Sequence, residues 1–237
     1  MAKASASSQI PLNLSFQPEQ RFETFVAPGS STALAVVQHA LSQPGSSTLL
    51  QGPEDSGKTH LLLAACHAAR QNSHRVAYVP LSQPAVQPVP ALAAAQEAQL
   101  IAVDDLECLV GNLDAQVALF HLINHAKSNG RVLLLSSPTS PGDLGLQLPD
   151  LISRLNAAVR VPLSILDDEG RKAALRLRAV ARGLDFDEAA LDWLLVRADR
   201  KLSTLMGLFR QLDHASSVRK KKLTLPFVRE TLGAQLS

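Results

Sequence analysis

The sequence predicts an α/β protein, a parallel sheet flanked by helices around a phosphate-binding loop, followed by a small all-helical domain. Three observations carry that reading. Short apolar runs such as 100–104 (LIAVD) and 131–136 (RVLLLS) are apolar over nearly their whole length and alternate with helical stretches, the pattern of parallel strands covered on both faces. A glycine-rich loop stands between one such run and a helix. From residue 167 onward the strand-like runs stop and only helical periodicity continues.

The elements follow in order. Residues 34–41 read as a helix closed by Gln43-Pro44-Gly45, and 47–51 as a buried strand entering the glycine loop. Residues 58–71 carry apolar side chains at helical spacing (Leu61, Leu62, Ala65, Cys66). A strand at 75–81 precedes a proline-rich stretch, 82–90, expected to be irregular. Then come helix 92–98, strand 100–104, helix 113–128, strand 131–136, helix 148–155 and a last strand at 158–161. Four helices near 168–182, 187–198, 202–217 and 226–235 complete the chain. The expected division is an arm over 1–20, a nucleotide-binding domain over 21–165 and a helical lid domain over 166–237.

Bulk properties narrow the class. With 46% apolar and 19% charged residues the chain has material for a sizeable core, which argues against global disorder. A formal net charge of +2 gives no sign of a surface that coats nucleic acid. Cys66 and Cys108 form no metal or redox motif; both sit among apolar neighbours and are expected to be buried in a reducing compartment. No window is long and apolar enough to span a bilayer, and residues 1–8 do not resemble a signal peptide. The expectation is a cytoplasmic protein with no membrane partner.

The loop Gly52-Pro53-Glu54-Asp55-Ser56-Gly57-Lys58-Thr59, with His60 in the first helical turn, has the spacing Gly-x4-Gly-Lys-Thr. It follows a strand and opens a helix, the context that separates a phosphate loop from a turn matching by chance. Its glycines let backbone N–H groups face phosphates, and the helix N-terminus adds partial positive charge. Lys58 is placed to reach the β- and γ-phosphates, and Thr59 to offer its hydroxyl to Mg²⁺. The strand 100–104 ends in Asp104 and is followed by Asp105. Asp104 is the candidate for holding Mg²⁺ through water and Asp105 for orienting an attacking water; capping the next loop is the alternative for either.

The run Gly57-Lys58-Thr59-His60-Leu61-Leu62 with Ala64-Ala65, the pair Asp104-Asp105, and Leu148-Pro149-Asp150-Leu151-Ile152-Ser153-Arg154-Leu155 together resemble the DnaA family of AAA+ replication initiators. Within it the chain is most similar to the Hda branch, regulators of replication initiation. The resemblance runs from Gln9 to the stretch Leu223-Thr224-Leu225-Pro226-Phe227-Val228. It implies an AAA+ P-loop core with a helical lid, binding of ADP (or ATP) with Mg²⁺, and DnaA as a partner. It also implies that Arg154 acts as an arginine finger in trans, beside ATP held by a neighbouring DnaA; the alternative is a surface arginine capping its own helix. No DNA-binding helix-turn-helix is expected after the lid, so DNA contact would be indirect.

Near the other end, Gln9-Ile10-Pro11-Leu12-Asn13-Leu14 resembles the peptide by which the Hda branch docks on the sliding clamp of DNA polymerase. Gln9, Ile10, Leu12 and Leu14 are the candidate anchors, with Ile10 replacing a leucine and the proline displaced to Pro11. The alternative is an arm folding back on the domain.

Two departures bear on hydrolysis. Pro138 and Ser203 stand where AAA+ relatives place polar side chains against the γ-phosphate (sensors I and II), and Arg200 and Arg210 are nearby but off register. That combination implies weak intrinsic ATPase. Arg219-Lys220-Lys221-Lys222 reads as a solvated loop rather than a DNA contact, and Trp193 as lid core with Leu191 and Leu194. A helicase loader of the DnaC type is the alternative function, although about thirty residues before the first helix are few for a helicase-binding domain. A small-molecule kinase lacks identifiable lid arginines and a substrate acid. A homo-oligomer remains open.

Overall fold

The computed structural model describes residues 20–27, 32–219 and 222–236. Five strands, β1 (Ser47–Gln51), β2 (Val76–Pro80), β3 (Leu100–Asp104), β4 (Val132–Ser137) and β5 (Val159–Pro162), form one sheet in the order β2-β3-β4-β1-β5. Every pairing is parallel, with Leu49 opposite Leu135 on one side and Arg160 on the other. Because side chains alternate across a strand, each apolar run supplies two cores. Leu49, Ile101, Val103, Leu133 and Leu135 pack on one face, under α3 (Pro88–Ala95), α4 (Leu113–Ser128) and α5 (Pro149–Asn156). Leu50, Leu100, Ala102, Val132 and Leu134 pack on the other, under α1 (Ala33–Ala40) and α2 (Lys58–Gln71). Strands β3 and β4 are buried from end to end, which is why their sequences carry no alternation.

From Asp168 the chain is helical: α6 (Asp168–Ala181), α7 (Glu188–Arg197), α8 (Leu202–Arg219) and α9 (Leu225–Leu232). Asp167 caps α6, its carboxylate accepting from the Gly170 N–H at 2.8 Å. These helices bury a core of their own around Leu175, Leu191, Leu194, Phe209, Leu212 and Phe227. Trp193 packs against that core only partly, with Arg197 5.0 Å above its ring. Among the described residues no helix is long and apolar enough to cross a membrane.

Two expectations are corrected. Residues 88–90 are helical rather than irregular, since α3 begins at Pro88; proline in a first turn lacks only an N–H that has no helical partner anyway. Cys66 is buried as expected, its thiol pushed up to about 12 by burial. Cys108 is exposed, because Leu106–Leu109 form a single 3-10 turn that buries the two leucines and turns Cys108 outward. A second 3-10 turn, Phe22–Thr24, was not foreseen.

Candidate nucleotide site

The C-terminal end of β1 runs directly into the glycine loop, in the crevice beyond the strand ends where open parallel sheets hold ligands. Two glycines are required there for different reasons. A Cβ on Gly52 would lie 2.3 Å from the Leu163 carbonyl oxygen, so the backbone leaving β5 excludes any side chain. Gly57 has φ +90° and faces the Phe25 ring at 2.9 Å from where a Cβ would stand. Asp55 between them adopts a left-handed conformation, φ 63°, which aspartate tolerates better than most residues. Lys58 is buried, and its ammonium donates to the carbonyls of Gly52 (2.6 Å) and Pro53 (2.7 Å). The amine is thus curled over the loop that it would share with a phosphate. The Ser56 hydroxyl is buried in the same loop with no hydrogen-bond partner among the described residues, a polar group that a phosphate oxygen or a water would satisfy.

The loop forms the floor of a cleft of about 660 Å³, within the range of small-molecule sites. Its first wall is the N-terminal stretch, where Gln20, Thr24, Phe25 and Val26 line the space. His60 fastens that stretch to α2: its Nε2–H donates to the Arg21 carbonyl at 2.9 Å, and its ring meets Phe25 edge-on at 5.6 Å. Burial holds the His60 pKa below the usual histidine value, opposed by the Arg21 carbonyl and reinforced by the positive charge of Arg178.

The second wall is acidic. Asp104 is 1% exposed and does not line the cleft. Its carboxylate accepts from Tyr78 Oη at 2.8 Å and from Ser136 Oγ, and that same hydroxyl accepts from the Asp105 N–H at 2.9 Å. Asp105 therefore turns left-handed (φ 64°) and presents its side chain to the cleft, where Ser82 Oγ donates to it at 2.5 Å. Burial raises the Asp105 pKa, Ser82 opposes that, and the neighbouring Asp104 charge adds to the rise. Glu107 is a second carboxyl lining this wall, raised above its ordinary value by burial, with one oxygen enclosed and unpartnered among the described residues. Burial also raises the Tyr78 hydroxyl, with Asp104 adding to it, so Tyr78 stays a donor to Asp104.

The lid supplies the third wall: Leu166, Ala174, Arg178, Leu202, Ser203, Met206 and Arg210. Ser203 Oγ donates to Asp55 Oδ2 at 3.0 Å, tying the first turn of α8 to the phosphate loop. Pro138, after β4, also lines the cleft. Among the described residues no cluster of His, Cys, Asp and Glu is arranged to hold a metal by itself. A Mg²⁺ ion would need phosphate oxygens and waters alongside the exposed Thr59 hydroxyl, with the buried Asp104 reaching it only through water and Asp105 at the surface of the cleft.

The structure thus brings Gly52 to His60, Asp105, Pro138 and Ser203 around one cleft and seats Asp104 just behind it. Arg154 lies elsewhere, exposed at the end of α5 and outside the cleft, with no hydrogen bond or ion pair to its side chain among the described residues. Arg200 does not line the cleft. Gln9, Ile10, Leu12 and Leu14 lie outside the described residues, as do Lys220 and Lys221. Sequence reading missed Tyr78, Ser82, Glu107, Ser136, Arg178 and the wall formed by Gln20, Thr24, Phe25 and Val26. Only Glu107, continuing the acidic run two residues after Asp105, left a local signal.

Comparison with known proteins identifies the family and the fold. A family profile described as the bacterial DnaA ATPase domain matches residues 16–162, and one described as the lid domain of Hda matches residues 168–232. Domain III of the Thermotoga maritima replication initiation protein DnaA superposes with a TM-score of 0.76 at 22% identity, covering 93% of this chain and 98% of that one. AMPPCP-bound DnaA from Aquifex aeolicus gives a TM-score of 0.66 at 25% identity, covering 87% of this chain and 70% of that one. The Thermotoga maritima Holliday junction branch migration motor RuvB shares the fold at a TM-score of 0.61 and 17% identity, covering 90% of this chain and 73% of that one. The chain belongs to the DnaA family of AAA+ proteins, and its helical domain is a lid of the Hda kind.

Proposed function

We propose that this chain is a regulatory AAA+ protein that holds ADP with Mg²⁺, docks on the sliding clamp of DNA polymerase, and promotes hydrolysis of ATP bound to DnaA. Replication initiation is thereby restrained. The observation that carries the reading is the position of Arg154, exposed, unpaired among the described residues, and outside the chain's own cleft. An arginine there is free to enter a neighbour's site, where its planar guanidinium stabilises charge developing on the transferred phosphoryl group.

The chain's own cleft supports holding a nucleotide more than hydrolysing it. The AMPPCP found in DnaA of Aquifex aeolicus makes an adenine nucleotide the natural ligand. Lys58 and the backbone N–H groups of the loop would hold its phosphates, Thr59 and Asp104 its Mg²⁺, and Asp105 a water. Pro138 carries no donor and Ser203 is committed to Asp55, so neither offers the γ-phosphate the polar contact that AAA+ hydrolysis uses at its position. Clamp docking rests on the sequence of Gln9, Ile10, Leu12 and Leu14. Contact with DNA would then pass through the clamp.

The test is hydrolysis of ATP pre-bound to DnaA, followed with DNA-loaded clamp and this protein, in the intact form and with Gln9, Leu12 and Leu14 replaced by alanine. The intact protein should accelerate hydrolysis only when clamp is present, and the triple variant should lose both clamp co-elution and acceleration. Undiminished co-elution by the triple variant would exclude the N-terminal peptide as the docking element. No acceleration by the intact protein would reject the function.

A further inference from the structure

The lid of this chain carries a guanidinium, unpaired among the described residues, on the face that begins at the phosphate loop, although the residue at the head of that face is a serine. We infer that Arg210 is the lid's phosphate-binding cation, displaced two helical turns from Ser203. The inference deepens the nucleotide reading of the same cleft and rests on it.

Ser203 Oγ donates to Asp55 Oδ2 at 3.0 Å, so the N-terminal turn of α8 starts at the phosphate loop. At 3.6 residues per turn, positions 203, 206, 207 and 210 share one face of a helix. Ser203, Met206 and Arg210 all line the cleft. Seven residues advance a helix by ~10.5 Å, yet helical side chains lean back toward the N-terminus, so a long one recovers much of that distance. Arg210 does so: its Nη2 lies 3.9 Å from the point where a Cβ on Gly207 would stand. The guanidinium has come back about one turn toward Ser203, over the one position on that face with no side chain.

Charge points the same way. Among the described residues Arg210 makes no ion pair and no hydrogen bond, while the other lid guanidinium on the cleft, Arg178, has its Nη1 3.6 Å from Met206 Sδ and acts electrostatically on His60. Arg178 is thus already engaged at Met206, between Ser203 and Arg210. That leaves Arg210 as the lid guanidinium of the cleft with no partner among the described residues, alongside Lys58 from the floor. Ser203, already engaged by Asp55, is not needed for that role.

The experiment is calorimetric titration of the full chain with ADP and with ATP at two salt concentrations, for the wild type, Arg210→Ala, Arg210→Lys and Lys58→Ala. Removing a charge-assisted contact to phosphate should weaken both nucleotides about tenfold in Arg210→Ala and flatten the salt dependence of affinity. Arg210→Lys should retain part of the affinity, and the melting temperature of the free protein should not change in either variant, because Arg210 is exposed and unpaired among the described residues. Wild-type affinity in Arg210→Ala, alongside loss in Lys58→Ala, would overturn the inference and leave the nucleotide site standing. Wild-type affinity in Lys58→Ala as well would overturn both. A drop in melting temperature that accounts for the lost affinity would make Arg210 structural, and equally overturn it.

Discussion

The floor of the cleft and its lid wall are built by opposite means. On the floor, the backbone decides: Gly52 is pressed by the Leu163 carbonyl, Gly57 by Phe25, and Lys58 is buried with its amine on two carbonyls. Few substitutions can be absorbed there. On the lid, side chains decide, each reaching the cleft from a helix that is already stable through its own core. Serine can stand at one position and arginine two turns away without disturbing the helix. Phosphate cradles built from backbone therefore keep their sequence signature, while walls built from long side chains can move theirs.

Glycine substitution breaks this comparison most sharply. Gly52→Ala forces a Cβ to within 2.3 Å of a backbone oxygen; overpacking of this kind costs ~1–3 kcal/mol, and nucleotide binding should be lost with it. Gly207→Ala meets nothing closer than the 3.9 Å contact with Arg210 and should stabilise the lid by ~1 kcal/mol, the helix-propensity difference. Urea unfolding of the two variants checks the pair. Equal and opposite shifts smaller than a few tenths of a kcal/mol would mean that the floor is as tolerant as the lid.

The acidic wall should respond less. Tyr78→Phe removes one buried donor to Asp104, found at 2.8 Å, and leaves Ser136 as the remaining side-chain donor. Losing one partner of a buried carboxylate costs ~1–3 kcal/mol. The same denaturation measurement reads it, and an unchanged midpoint would show that Asp104 does not depend on Tyr78.

What the sequence revealed follows the same division. The sheet was legible because β3 and β4 are buried on both faces and so must be apolar throughout. The phosphate loop was legible because its glycines answer to local backbone geometry. Pro88 hid the start of α3, since proline forbids a helix interior but not a first turn. Cys108 looked buried because its apolar neighbours are, though a 3-10 turn separates their directions. Arg178, Arg210 and the wall of Gln20, Thr24, Phe25 and Val26 reach the cleft only through tertiary closure of segments far apart in the chain. No local pattern marks them, although Arg210 stands seven residues after Ser203, a spacing that places the two on one helical face.

The most direct test of the regulatory role concerns Arg154, which takes no part in the cleft. Single-turnover hydrolysis of ATP on DnaA, with DNA-loaded clamp and either wild-type protein or Arg154→Ala, isolates it. Arg154→Ala should bind ADP and co-elute with the clamp as the wild type does, yet lose the stimulation, which for an arginine finger amounts to ~10³–10⁵-fold in rate. Arg154→Lys should fail nearly as badly, because an ammonium cannot reproduce the planar, multi-donor contact with phosphoryl oxygens. Full stimulation by Arg154→Ala would contradict the finger in trans, and loss of ADP binding in that variant would place Arg154 in its own chain's site instead.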